Sequence, residues 1–351
     1  MHPFRKLLLI SLGRADSFEK TPTHRDWLLL FDMAKQQALL GVLYDGIQRL
    51  PEDQRPPESV LTNWQHLVGK IEEIHALHER HVQELADILQ KLGLHGCLLK
   101  GTGLSHLYPV PDHRTCGDID IWVRGTHDSI LDTFDQAGYG IWGVIYQECK
   151  VDLFEDTIVE VHFHPSKTYN PIHNARLQRW MEEHSPIRDD AALTEPDARF
   201  NAVFCMAHMF RHYLEGGLGL RQMMDYYYIL QVLDPADRQS VMDTLKRLGM
   251  GRFTAALMLS LQYNFGLEDD YVLCPPDRKL GRKLIEDAIS MGNFGVMDTR
   301  NRAKKGEGPI GRFFRKNGRV FSNLRYYPGE VLWSPFARLS QFVWRLFKGY
   351  L

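Results

Sequence analysis

Apolar residues recur every three or four positions over much of this chain, which is the spacing of α-helices that bury one face. The clearest stretch, residues 61–92, predicts one long helix at the end of a helical N-terminal region, residues 1–92. Within it His75, His78 and His81 step by three, and we expect them on its solvated face. The apolar positions of the buried stripe are Leu61, Trp64, Leu67, Ile71, Ile74, Leu77, Val82, Leu85, Ile88 and Leu92.

After the long helix the pattern changes to short runs typical of β-strands. Residues 95–99 are apolar, as in a buried strand, whereas residues 117–123 begin with alternating polar and apolar side chains. The runs 144–154 and 157–164 are separated by a short acidic turn and predict a hairpin. Two short helical stretches lie between the first three runs.

This order predicts an α+β protein in which a small mixed β-sheet core is flanked by N-terminal and C-terminal helical segments. Helical spacing returns after Pro171, and the end of the chain, residues 339–351, is amphipathic. The predicted divisions are a helical N-terminal region at 1–92, a sheet core at 93–168, a helical domain at 169–295 and a basic C-terminal segment with an amphipathic helix at 296–351.

Composition narrows the class of protein. The 351 residues are 44% hydrophobic and 25% charged, as in a globular protein, and the formal net charge of −2 gives no global sign of a polyanionic partner. The five cysteines form no C-x-x-C pair, so we expect free thiols and a cytoplasmic location. No apolar stretch approaches the ~20 residues of a membrane span, and we expect no transmembrane segment.

The candidate chemistry begins with Asp118 and Asp120, which are separated by one residue on a predicted strand. Residues i and i+2 of a strand point to the same face, so the two carboxylates lie side by side. A divalent cation relieves their repulsion, and oxygen ligands favour Mg²⁺ or Mn²⁺. Alone, such a pair is more typical of two solvated carboxylates.

Two neighbouring segments make the pair more specific. Upstream, Gly101 and Thr102 form a glycine turn between a strand and a helix, where backbone N–H groups suit a phosphate. Downstream, Glu160 places a third carboxylate on a strand between two valines. A phosphate cradle with three carboxylates is typical of phosphoryl-transfer sites.

These residues resemble the nucleotidyltransferase superfamily related to DNA polymerase β. More narrowly, the leucine-lysine-glycine run at 99–101, Arg114, the segment 117–120 and the segment 160–162 resemble a bacterial family of uncharacterised nucleotidyltransferases. The resemblance covers roughly residues 60–230. It implies that 93–168 is a nucleotidyltransferase core that moves a nucleoside monophosphate from an NTP to an acceptor hydroxyl and releases pyrophosphate.

The resemblance also implies roles for single residues. Asp118 and Asp120 would hold two Mg²⁺ (or Mn²⁺) ions, and Glu160 would complete the site and help to deprotonate the acceptor. Gly101 and Thr102 would hold the triphosphate. The acceptor, whether a small molecule, a protein or an RNA, is left open.

Four further residues are candidates for contacts with the nucleotide. Lys100 and Arg114 could neutralise phosphate charge. His162 could orient a carboxylate, touch substrate or be structural. Arg221 lies four residues before Asp225, so the two are expected to pair on one helix face and could still line the cleft.

A further pair of histidines, His208 and His212, shares one helix face. Zinc is disfavoured because the glutamate of an H-E-x-x-H motif is missing, which leaves helix packing or substrate contact.

The C-terminal segment allows several interpretations. Residues 300–325 contain nine Lys and Arg residues and one acidic residue, Glu307. Three interpretations are open for these residues. They form a solvated region, they bind a nucleic acid or another polyanion, or they bind anionic lipid while residues 339–351 lie in the membrane interface. The apolar side of that last helix is more typical of packing onto its own domain. Its apolar residues are Phe342, Val343, Leu346 and Phe347.

Two alternatives to a nucleotidyl-transferring enzyme stay open. The chain could be a catalytically silent nucleotide-binding regulator or interaction protein with the same fold. It could also act mainly through its basic tail on nucleic acid or membrane.

Overall fold

The computed structural model describes residues 2–293 and 320–350, together with residues 308, 311, 315, 317 and 318. Much of the basic segment 300–325 therefore lies outside the described residues, and its three interpretations stay predictions. No helix in the described ranges combines the length and the apolar character needed to cross a bilayer.

The predicted α+β fold is confirmed: a mixed sheet lies between helical segments. The strands are β1 (Gly96–Leu99), β2 (Ile119–Val123), β3 (Ile141–Trp142), β4 (Glu148–Val151), β5 (Val159–His162) and β6 (Leu193–Thr194). They are ordered β3-β4-β5-β2-β1-β6. β2 runs antiparallel to β1 and parallel to β5, and β4 and β5 form the predicted hairpin. β3 and β6 were not predicted, because two residues are too short to show alternation.

Most predicted helices are present, with ends shifted by a few residues. The helices are α1 (Pro3–Ser11), α2 (His24–Gln36), α3 (Leu40–Arg49), α4 (Glu58–Leu92), α5 (Gly101–Ser105), α6 (His127–Gln136), α7 (Pro171–Glu183), α8 (Ala198–Glu215), α9 (Leu220–Val232), α10 (Arg238–Arg247), α11 (Gly251–Phe265), α12 (Arg278–Met291), α13 (Pro328–Val331) and α14 (Ser334–Lys348).

Two hydrophobic cores hold these elements. The larger core joins helices from both ends of the chain, since α1 packs on α3 and α11. The smaller core lies between one face of the sheet, α6 and the end of α4. The long helix α4 links them, with Trp64 in the helical core and Leu85 in the sheet core. The domain boundaries stay a prediction, but the helices before and after the sheet share one core.

The prediction that His75, His78 and His81 lie on a solvated face is wrong. All three side chains are buried, whereas Ile74, which was predicted in the buried stripe, is 45% exposed. The reason is that this part of α4 faces hydroxyl groups as well as apolar side chains such as Phe154.

Two of the three buried imidazoles lie within hydrogen-bonding distance of hydroxyl groups of neighbouring elements. His75 Nε2 lies 3.0 Å from Ser105 Oγ, and His81 Nδ1 lies 2.9 Å from Thr157 Oγ1. A buried imidazole with such partners avoids most of the cost of losing water. The hydrophobic periodicity therefore failed where the helix passes from one core to the other.

The final helix also departs from expectation, because its apolar side does not pack onto the part of the protein that the structure describes. Phe342, Leu346 and Phe347 of α14 are exposed, and Phe347 is 85% exposed. Its contacts with the body come from the opposite side, where Trp344 packs beside the sheet core.

The buried side of β1 yields a stability prediction. Leu98 is 2% exposed in the sheet core, so Leu98→Asp buries an unpaired carboxylate in an apolar site. We expect it to lower the free energy of unfolding by about 4 kcal/mol or more, measured by urea denaturation. Ile74→Asp, the same kind of change at an exposed position, should cost less than about 1 kcal/mol, and equal losses would contradict the assigned core.

The buried histidines predict acid sensitivity. Burial lowers the pKa of His75 and His78. Histidine in the unfolded chain has a pKa of about 6.5. Below that pH the unfolded chain binds more protons than the folded protein does. The contribution of these histidines to stability is therefore fully present above that pH and is lost as the pH falls. Each histidine contributes up to about 1.4 kcal/mol per pH unit. We expect His78→Gln to make the decline shallower in denaturation curves, while the exposed His66→Gln leaves its slope unchanged.

Candidate functional site

The sheet register brings the predicted carboxylates together. Asp120 on β2 lies opposite Glu160 on the parallel neighbour β5 and opposite Leu99 on β1. Asp118 directly precedes β2. Because β1 ends at Leu99, Lys100 also reaches this edge of the sheet.

Asp120 is the most enclosed of these groups, with 1% of its surface exposed. Lys100 Nζ lies 2.9 Å and His162 Nε2 lies 2.8 Å from its Oδ1 atom. Burial opposes its ionisation, but the positive charge of Lys100 and the hydrogen bond from His162 prevail and lower its pKa to about 2. Asp120 therefore remains a carboxylate at neutral pH.

The negative charges of Asp118 and Glu160 are less well balanced by positive groups than that of Asp120. The charge of Asp120, followed by burial, raises the pKa of Asp118. Burial, followed by the charge of Asp120, raises the pKa of Glu160, although Lys150 Nζ lies 3.2 Å from Glu160 Oε1. The site therefore concentrates negative charge beyond what its lysines neutralise.

This donor set fits a divalent cation. Asp120, Glu160 and His162 each offer one ligand atom, and these atoms all lie within 4.8 Å of one another. His162 Nε2 is bonded to Asp120, so it orients that carboxylate in the way that outer residues orient metal ligands. The remaining donors are carboxylate oxygens, which Mg²⁺ and Mn²⁺ prefer.

The carboxylates open into a cleft of about 390 Å³ between the sheet and two helices. The sheet side includes Lys100, Gly101, Asp118, Asp120, Glu148 and Glu160. The helix side includes Phe204, Cys205, His208, Met209, Arg211 and His212 of α8 and Arg221, Gln222 and Asp225 of α9. Four carboxylates and Lys100 therefore lie on the sheet wall, and Arg211 and Arg221 lie with Asp225 on the helix wall.

A bent backbone directs Lys100 at the carboxylates. Lys100 has φ of +41° and Gly101 has φ of +47°, so two successive residues adopt the left-handed region. That region is unfavourable for lysine, which indicates that the surrounding structure holds it there. A Cβ atom at Gly101 would lie 3.4 Å from the Asp118 carbonyl oxygen.

Thr102 is placed differently from its predicted role. Its side chain is buried in α5 and does not line the cleft. Its hydroxyl has no hydrogen-bond partner among the described residues. Its neighbour Gly101 lines the cleft, and the role of Thr102 in holding the triphosphate stays a prediction.

Arg114 and Arg221 converge on one aspartate in the cleft wall. Arg114 is buried and donates two hydrogen bonds to Asp225, at 2.8 and 3.0 Å. The Tyr108 hydroxyl donates to the same carboxylate at 2.6 Å. Arg221 Nη1 lies 3.8 Å from Asp225 Oδ2, as the spacing of four predicted. Arg114 therefore braces α9 against the loop before β2, and Arg221 is the more exposed of the two.

Two further charged residues of the cleft, Arg211 and Glu148, were given no role from the sequence. Arg211 lines the helix side, and its guanidinium donates to the side chain of Gln147. Glu148 is paired with His162 across β4 and β5, and its Oε2 lies 3.4 Å from His162 Nδ1. The hairpin register could have indicated Glu148, and the resemblance of residues 208–225 to the family, which includes Arg211, could have indicated that arginine.

The histidine pair of α8 is part of the cleft wall. The rings of His208 and His212 lie 4.3 Å apart. Burial lowers the pKa of His208 well below its usual range and that of His212 to about 3, so both are neutral at pH 7. This supports packing or substrate contact rather than charge neutralisation.

The fold and the cleft define a class: an α+β protein whose mixed sheet presents a cluster of carboxylates suited to a cation, opposite a basic helical wall. Residues 23–266 match the family described as uncharacterised nucleotidyltransferase, and the chain belongs to that family. No curated protein and no solved structure matches the chain.

The repulsion between Asp118 and Asp120 predicts that removing the Asp118 charge stabilises the protein without metal but abolishes its stabilisation by metal. Because Asp120 and burial raise the pKa of Asp118, its charge is unfavourable in the metal-free protein. Asp118→Asn should therefore raise the free energy of unfolding without metal, by up to about 1 kcal/mol. Adding Mn²⁺ should raise the Tm of the unaltered protein but not that of the variant, because a ligand stabilises only the state that binds it.

The matched control is Asp135→Asn, which neutralises an exposed carboxylate on α6. It should leave both the metal-free stability and the Mn²⁺ response unchanged. An Asp118→Asn protein that keeps the full Mn²⁺ response would remove Asp118 from the metal site.

Proposed function

We propose that this chain is a metal-dependent nucleotidyltransferase that moves a nucleoside monophosphate from an NTP to an acceptor hydroxyl. The observation that carries the proposal is the register of β2 and β5, which sets Asp120 and Glu160 side by side with Asp118 in one cleft. Family membership supports the same reaction class. The reaction forms a bond between the acceptor oxygen and the α-phosphorus and breaks the bond from that phosphorus to the departing pyrophosphate.

Mg²⁺ or Mn²⁺ is the proposed cofactor, held by Asp118, Asp120 and Glu160. When bound, the cation neutralises phosphate charge and makes the attacking hydroxyl easier to deprotonate. His162 keeps the Asp120 carboxylate oriented, and Lys100 balances its charge.

Glu160 is the proposed acceptor of the hydroxyl proton. Burial and the charges of Asp120 and Glu148 raise its pKa, which makes it a stronger base than a solvated glutamate. Its 3.2 Å contact with Lys150 opposes that effect only in part.

The triphosphate is proposed to lie between the two walls of the cleft. Lys100 provides positive charge on the sheet wall, next to the backbone at Gly101, and Arg221 provides it on the helix wall. Arg211 adds a third cation on the same helix wall as Arg221. Arg114 acts through its pairing with Asp225, which holds α9 and hence Arg221 in place.

A cytoplasmic location remains part of the proposal, because NTPs and Mg²⁺ are abundant there. The proposal does not specify the chemical class of the acceptor. It is a small molecule, a protein or an RNA with a hydroxyl group, and the labelled product of the experiment below identifies it.

The test follows the label through the reaction. The protein is incubated with each NTP, Mg²⁺ and cell extract, with the label on the α-phosphate in one set and on the γ-phosphate in the other. We expect transfer of the α-label to a product and none of the γ-label, because pyrophosphate departs. Asp118→Asn should reduce transfer at least about a hundredfold, since it removes a proposed metal ligand.

Asp135→Asn serves again as the control and should keep full activity. Transfer of the γ-label would contradict nucleotidyl transfer. Tight NTP binding without transfer under any condition would instead favour the silent nucleotide-binding regulator.

A further inference from the structure

The last helix, α14, is turned the opposite way to an ordinary surface helix. A surface helix normally buries its apolar side and exposes its polar side. In α14 the large apolar residues that face outward, with exposures from 38% to 85%, are Phe336, Leu339, Phe342, Val343, Leu346 and Phe347. At 3.6 residues per turn they occupy one continuous side of the helix.

The other side of α14 is firmly attached to the body of the protein. The ring of Trp344 lies 5.2 Å from that of His127 and packs beside the sheet core. Lys348 Nζ binds the Asp128 carboxylate at 2.8 Å. The outward apolar side is therefore a feature of the attached helix and not a sign that the helix is detached.

The sequence of α14 and of the segment before it carries a net positive charge. Residues 331–350 contain no aspartate or glutamate, but they contain Arg338, Arg345 and Lys348. The preceding segment, 300–325, has nine basic residues to one acidic residue. A continuous apolar side in a sequence rich in lysine and arginine and poor in acidic residues is the pattern of helices that lie in the interface of an anionic membrane.

We propose that α14 docks this protein onto an anionic lipid bilayer, with the helix axis parallel to the membrane plane. Fifteen residues span about 22 Å, which is too short to cross a hydrocarbon core of about 30 Å. Trp333 and Tyr350, at the two ends of the helix, are residue types enriched at interfacial depth.

A second copy of the chain fits this surface less well. Symmetric pairing of two α14 helices would bring two basic segments together, since neither copy offers a carboxylate between residues 331 and 350. Anionic headgroups complement the basic residues of this part of the chain. The charge distribution therefore favours a bilayer over self-association.

The test measures co-sedimentation of the full chain with vesicles. One set contains phosphatidylcholine alone, and the other contains equal parts of phosphatidylcholine and phosphatidylglycerol. We expect binding to the anionic vesicles at least about tenfold stronger than to the neutral ones, weakened by added salt. The variant Phe342→Ser/Leu346→Ser/Phe347→Ser should lose anionic binding at least about tenfold, because it removes apolar surface.

The matched control is Leu29→Ser/Ile172→Ser, which removes exposed apolar side chains from α2 and α7. It should bind like the unaltered protein, and equal Tm values would show that all variants are folded. Absence of vesicle binding by the unaltered chain, or unchanged binding by the triple variant, would overturn the proposal. A dimer seen by light scattering that the triple variant abolishes would assign the surface to a second copy and also overturn it.

Discussion

The candidate site depends on one buried carboxylate that is shared by two partners. Asp120 can remain charged at 1% exposure because Lys100 and His162 contact the same oxygen. An unpaired buried charge would be far too costly. Each partner comes from a different element: Lys100 follows β1, and His162 ends β5. The carboxylate therefore ties three neighbouring strands together at the point where the cleft opens.

The charge held on Asp120 explains why the two neighbouring carboxylates, Asp118 and Glu160, would be stabilised by a bound cation. Asp118 and Glu160 lie in the field of a permanently charged Asp120, and their raised pKa values record the unfavourable crowding. The protein keeps this crowding although removing one charge would relieve it. Unrelieved repulsion of this kind is common at functional sites, where a ligand rather than the fold supplies the compensation.

The helical parts give the sheet its second wall and its outer surface. Helices from both ends of the chain share one core, which holds α8 and α9 against the sheet. The buried pair of Arg114 and Asp225 connects α9 to the loop that leads into β2, so the two walls of the cleft are linked by an ion pair. On the outside, α14 reverses the usual orientation and leaves an apolar surface that the body of the protein does not cover.

The sequence by itself determined what depends on local spacing. The alternation around Asp118 and Asp120 predicted a strand with paired carboxylates, and the hairpin that carries Glu160 followed from two apolar runs and a turn. These features are set by neighbours in the chain, so they can be read without the fold.

Only the tertiary structure decided which groups meet across elements. It paired Lys100 and His162 with Asp120, buried His75 and His81 of α4 against hydroxyl groups, and turned the apolar side of α14 outward. Burial and pKa depend on what a distant segment places opposite a side chain. Periodicity along one helix can identify two faces, but the rest of the molecule selects which of them is covered.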